Sequence, residues 1–209
     1  MRKNILSGIF ITILLLSCLS ANIKKADTLQ NGIYARFTTE KGVFIANLEY
    51  EKVPVTVANF MGLAQGTIPN DIKKLGVPYY NGLKFYKVFV GYMLMTGCPQ
   101  NDGRGQPGYY FRDEFHPELK HDAPGVLSML SNGPNSNGSQ FIITMRPSVV
   151  LDNKYPVFGK VINGMDVVNA VQQGETILKI EILKIGKKAN SFDPIKVFKK
   201  NGFDNIMKK

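Results

Sequence analysis

From Tyr34 onward, short apolar runs bounded by Gly, Asn or Pro alternate with polar stretches, a texture that predicts strands. Residues 34–38 and 43–50 flank Glu40-Lys41-Gly42 and read as a hairpin. Further strands are expected at 83–90, 92–96, 126–130, 140–145 and 157–161. Leu178, Ile180 and Ile182 alternate with Lys179 and Glu181, which marks one more strand with a single buried face. One helix is clear: Val57, Phe60, Met61 and Ala64 share a face, with Pro54 at its start and Gly66 past its end. A second helix is expected over 165–173, between Gly164 and Gly174. No βαβ unit repeats. Eight short strands are the number that closes a barrel filled by its own side chains, so a mainly β chain is expected to form a closed eight-stranded antiparallel barrel with two α-helices.

The first residues have a different pattern. Arg2 and Lys3 precede an apolar run from Ile5 to Leu16, broken only by Ser7, Gly8 and Thr12. Twelve residues of helix reach about 18 Å, too short for the roughly 30 Å of hydrocarbon in a bilayer. The segment reads as a signal peptide over 1–17. Leu15-Leu16-Ser17-Cys18 resembles a bacterial lipobox, which makes Cys18 a lipidation site and 18–32 a tether. This places the protein in the cell envelope, anchored to membrane through lipid on its periplasmic or extracellular face. Leu19 carries no inner-membrane retention signal, which points to the outer membrane.

The chain carries a net charge of +10, much of it in the tail over 187–209. An exported protein seldom meets nucleic acid, so attraction to anionic lipid headgroups, or a simply solvated tail, is the expectation. Asp193 followed by Pro194 predicts a short appended helix there.

Candidate chemistry is sparse. With Cys18 lipidated, Cys98 is alone and reads as a small buried hydrophobe. His116 and His121 have no metal-ligand spacing, and no nucleophile elbow surrounds Ser139. Gly103-Arg104-Gly105-Gln106-Pro107-Gly108 has the spacing of a dinucleotide loop, but Pro107 and Tyr109-Tyr110-Phe111 follow instead of a helix. Neither metal nor cofactor is implied.

Several strings, taken in order, resemble the cyclophilins: Phe85-Tyr86-Lys87-Val88, Tyr92-Met93-Leu94-Met95-Thr96-Gly97, Leu127-Ser128-Met129, Gly133 to Phe141, and Leu151 to Val161. The resemblance spans about 34–185, within a domain read as 33–186. It implies a barrel with two helices over its ends and peptidyl-prolyl cis–trans isomerase activity on proline-containing polypeptides, by a monomer. In that family an arginine follows a phenylalanine-histidine pair; here the matching catalytic position is Lys87, after Phe85 and Tyr86. Lysine keeps the charge but has no planar fork and is more strongly hydrated. The resemblance assigns substrate binding to Phe85, Tyr92, Met93, Met95, Leu130, Ser131, Gln140, Ile142, Leu151 and Tyr155. Met95 stands where the family has a second glutamine, and Val150 where it usually has tryptophan.

The leading expectation is therefore a lipid-anchored isomerase assisting the folding of exported proteins, with activity reduced by Lys87 and Met95. The alternative is a non-catalytic proline-peptide binding module or chaperone. A third reading, a surface adhesion lipoprotein, rests on the anchor and the basic tail alone.

Overall fold

The computed structural model describes residues 29–200. The signal peptide, Cys18 and most of the tether lie outside that range, as do residues 201–209 of the tail. The hairpin is present as β1 (Gly32–Thr39) and β2 (Gly42–Leu48), in register from Ile33 opposite Leu48 to Thr39 opposite Gly42. Helix α1 (Pro54–Gln65) follows, with Pro54 at its first turn and Gly66 closing it in the left-handed region. The remaining strands are β3 (Lys87–Phe89), β4 (Met93–Thr96), β5 (Val126–Met129), β6 (Phe141–Thr144), β7 (Val157–Asn163) and β8 (Ile177–Ile185). A short helix, α2 (Met165–Ala170), lies between the last two.

These eight strands form one antiparallel sheet in the order β3-β4-β6-β5-β7-β2-β1-β8, curled into a half-barrel. The full closure expected from the strand count is not reached, and the two edges of the sheet meet only at a short seam. There the chain leading into β3 meets the chain leading into β8 through a single bridge between Lys84 and Thr176. Phe85 N–H donates to Glu175 O at 2.9 Å, and Ile177 N–H donates to Leu83 O at 2.8 Å. The seam explains why the apolar run 83–90 yields a strand of only three residues. The backbone of its first half, Leu83–Phe85, bonds to Glu175 and Ile177 across the seam, and only its second half pairs with β4. Helix α2 is likewise shorter than expected, because Val171 turns extended and is buried.

The core is aromatic at its centre. Phe60 of α1 lies 6.1 Å from Phe37, 5.3 Å from Tyr80, 5.5 Å from Phe141 and 5.2 Å from Phe158, ring centre to ring centre. One ring on the helix thereby touches β1, β6 and β7. Two short helices follow β8: α3 (Lys187–Ser191) and α4 (Pro194–Lys200). The predicted cap is formed, since Asp193 Oδ1 accepts the N–H groups of Ile195 and Lys196. Phe198 is buried, 5.9 Å from the Tyr109 ring and 6.2 Å from Phe111. This stretch of the basic tail is thus packed onto the domain by its apolar residues, with its lysines outside. Among the described residues, no helix is long and apolar enough to cross a membrane.

Candidate active site

Strand alternation separates two apolar clusters. Leu94 of β4, Leu127 and Met129 of β5, and Phe141 and Ile143 of β6 point into the main core. Their neighbours Met93 and Ile142 point the other way, and with Leu151 they form a second, smaller cluster. Tyr92, Met95, Leu130 and Tyr155 pack around it, partly exposed. Seven of the residues singled out in the sequence therefore meet on the outer face of the sheet.

The register lines up the rest. Lys87 is opposite Met95, Met95 opposite Ile142, and Ile142 opposite Ser128. This single row crosses four strands, with side chains about 5 Å apart from strand to strand. It sets an exposed cation at the rim, apolar side chains in the middle, and a buried hydroxyl at the far end. The Lys87 ammonium lies over the Phe89 ring, 5.2 Å from its centre. Phe89 in turn meets Tyr92 edge-on at 6.5 Å.

At the far end, Ser128 belongs to a relay that sequence spacing does not reveal. His121 Nδ1 lies 2.8 Å from Asp152 Oδ1, and His121 Nε2 lies 2.8 Å from Ser128 Oγ. The carboxylate accepts a hydrogen bond from Nδ1–H, so the neutral imidazole's Nε2 accepts from the Ser128 hydroxyl. The arrangement resembles a hydrolytic triad in its partners, but Ser128 is fully buried and no substrate reaches it. Its work is positional. Asp152 also accepts the His121 backbone N–H at 2.8 Å, fixing the 3₁₀ turn Val149–Leu151 that carries Leu151 into the cluster.

Burial holds the His121 imidazole below its ordinary pKa, opposed by the Asp152 carboxylate. The folded state therefore keeps His121 neutral at pH values where the unfolded chain is already protonated. The unfolded state then binds more protons, so stability falls as pH drops below about 6.5. Thermal unfolding should move to lower temperature between pH 7 and pH 5. A His121→Gln variant, less stable at pH 7, should lose part of that slope.

Gln140 is committed elsewhere. Its Nε2 donates to Gly103 O at 3.0 Å and to Gly105 O at 2.9 Å, and its Oε1 accepts the Tyr86 hydroxyl at 2.6 Å. Cys98 Sγ accepts the N–H groups of the same two glycines at 3.3 and 3.2 Å. Cys98 is buried as expected, and it also works as an acceptor. The glycine-rich loop that imitates a dinucleotide motif is strapped from both sides, and it packs against Tyr86, next to Lys87. Gly97 is required at the end of β4, because with φ +84° any Cβ there would run into the Ser139 carbonyl.

One assignment shifts. Phe85 is fully buried in the main core and lines no groove. The alternation that exposes Lys87 turns Phe85 inward, so it supports the site from behind. Ser131 and Tyr155 border a neighbouring cleft of 610 Å³, together with Asp113, Phe115, Gly133 and Lys154. Tyr155 belongs to both the cleft and the apolar cluster. Among the described residues, no group of His, Cys, Asp or Glu could hold a metal ion.

A family model described as cyclophilin type peptidyl-prolyl cis-trans isomerase/CLD matches residues 34–187. Peptidyl-prolyl cis-trans isomerase A of Mycobacterium tuberculosis (strain ATCC 25618 / H37Rv) is 41% identical over 148 residues, covering 68% of this chain and 81% of that protein. Peptidyl-prolyl cis-trans isomerase-like 1 of Mus musculus is 38% identical over 141 residues, covering 66% and 78%. Among solved structures, a Cryptosporidium parvum cyclophilin type peptidyl-prolyl cis-trans isomerase, crystallised in the presence of the dipeptide Ala-Pro, matches with a TM-score of 0.59 at 31% identity. That match covers 74% of this chain and 99% of the other.

Proposed function

The chain belongs to the cyclophilin-type peptidyl-prolyl cis-trans isomerases, and we propose that it turns X–Pro bonds of exported proteins at a membrane surface, using Lys87 as its donor. The observation that carries this reading is the row Lys87-Met95-Ile142, which sets one exposed cation beside an apolar cluster whose edge, Tyr92, Met95, Leu130 and Tyr155, is partly exposed.

The chemistry needs no nucleophile. Amide resonance gives the X–Pro bond a barrier of about 20 kcal/mol and exchange over tens to hundreds of seconds. An enzyme accelerates rotation by binding the twisted amide better than either planar form. In the twisted state the prolyl nitrogen regains its lone pair and becomes an acceptor. The apolar cluster of Met93, Ile142 and Leu151 takes the proline ring, with Tyr92, Leu130 and Tyr155 at its edge. Lys87 reaches in from the rim to donate to the nitrogen. Leaving the Phe89 ring costs an exposed cation–π contact of about 0.5–1 kcal/mol, a small toll against the gain at the transition state.

Lysine's hydrated, flexible ammonium makes this donor weaker than an arginine fork, and the Met95 thioether supplies no strong hydrogen bond beside it. We therefore expect low turnover. Mixing the full chain with an Ala-Pro peptide and following the cis-to-trans change optically tests the reading. Acceleration above the uncatalysed rate is expected, and no acceleration at any concentration would overturn it. Anchoring rests on the lipobox: Cys18→Ser should move the protein from the membrane to the soluble fraction of its cells, and unchanged partition would count against a lipid anchor.

The second reading, a proline-peptide binding module or chaperone, is favoured by Gln140. Its amide is spent on Gly103, Gly105 and Tyr86, which leaves fewer groups to hold a peptide backbone. Peptide binding without turnover would select it.

A further inference from the structure

Several bases on this surface sit on carboxylates: Arg36 and Lys179 on Glu181, Lys41 on Glu175, Lys52 on Glu118, Arg104 on Asp102, Lys188 on Glu51. Two bases on the Tyr92 side of the apolar cluster rest on aromatic rings instead. Lys87 lies over Phe89, and Arg146, two residues past β6, has its guanidinium carbon 4.8 Å from the centre of the Tyr92 ring. Phe89 and Tyr92 touch edge-on, so the series Lys87, Phe89, Tyr92, Arg146 forms a continuous shelf with a cation at each end. The shelf is open: Phe89 is 43% exposed and Val90 91%. Among the described residues neither cation has an ion-pair partner, and the carboxylates on the other side of the cluster are engaged. Asp152 is held by His121, and Asp113 accepts the Asn135 backbone N–H and the Asn137 amide.

A cation on a ring keeps its charge and its outward N–H groups, and the ring fixes its position. Tyr92 is also a wall of the proline-binding cluster, so Arg146 is held at the edge of whatever occupies it. We propose that Arg146, with Lys87 opposite, makes this groove selective for proline segments flanked by an acidic residue; the inference rests on the isomerase reading above. Arg146 is a specificity-determining residue that pairs with a carboxylate on the substrate, at a rim where salt screens the attraction.

The test measures isomerisation by the full chain on three peptides with Glu, Ala or Lys before proline, and on three with the same residues after it. Each set is run at low and at high salt. In at least one set, kcat/KM for the Glu peptide should exceed that for the Lys peptide about three- to tenfold at low salt, a ratio that shrinks at high salt. Arg146→Glu should reverse the order, whereas Lys196→Glu, the same charge change on α4, should leave it. Equal rates in both sets, or an order that Arg146→Glu does not alter, would overturn the inference. Absence of turnover on all six peptides would instead overturn the isomerase reading. The charge order is then read from peptide binding by calorimetry, where equal affinities for Glu and Lys peptides would overturn the inference as well.

Discussion

Lys87→Ala should lower kcat/KM for an X–Pro peptide by about 30- to 100-fold, and Lys87→Arg should raise it several-fold above the parent. The first figure follows from the worth of a single donor aimed at charge that appears only in the transition state, which is about 100- to 1000-fold for well-organised groups. It is scaled down because an ammonium resting on Phe89 must leave that ring and shed water before it donates. The effect should fall on kcat with KM little changed, since the proline ring is held by Met93, Ile142 and Leu151 and not by the cation. Arginine presents a planar fork with more donors and less freedom to lose. Met95 faces Lys87 directly across β3 and β4, so Met95→Gln should add to the gain in the Lys87→Arg background by more than it adds alone. Steady-state rates of the five proteins on one peptide check the whole series. An Ala variant as fast as the parent would remove Lys87 from the chemistry.

Phe60→Ala should cost about 3–5 kcal/mol of stability, the largest loss expected from any single truncation in this core. Phe60 is fully buried and its ring contacts four other aromatic rings, carried by β1, the loop before β3, β6 and β7. Truncation removes the transfer energy of the ring, leaves a cavity that four rigid neighbours cannot fill, and forfeits the edge-on contact with Phe141. With a domain stability of about 5–15 kcal/mol, that is a large fraction of the total. Urea unfolding reads it as a lower midpoint at unchanged slope. Val150→Ala, at a position 63% exposed, should shift the midpoint little.

Much of this was legible in the chain because period-two alternation carries its own geometry. The run from Tyr92 to Thr96 already says that Met93 and Met95 face away from Leu94 and Thr96, and the pairing with β6 makes that the division between core and groove. The resemblance named the groove residues, and seven of them meet around one cluster. It misplaced Phe85, because a matching string includes the inward residues that support a site along with the outward ones that form it. What the sequence concealed is contact between distant positions. His121, Ser128 and Asp152 have no spacing that suggests a relay, and Arg146 reaches Tyr92 only because β4 and β6 are neighbours. The partial closure was hidden for the same reason: the apolar run 83–90 reads as one strand, and only the partners of its two halves divide it.

The most direct test is two-dimensional exchange NMR of an Ala-Pro peptide with substoichiometric amounts of the full chain, beside the same mixture with Lys87→Ala. The parent should give exchange peaks linking the cis and trans resonances on a timescale the free peptide cannot reach. The Ala variant should still shift the proline signals while the exchange peaks fade. Shifted proline signals with no exchange in the parent, or exchange peaks that survive unchanged in Lys87→Ala, would contradict the account: the first makes the groove a binding site alone, and the second places the catalysis on another residue.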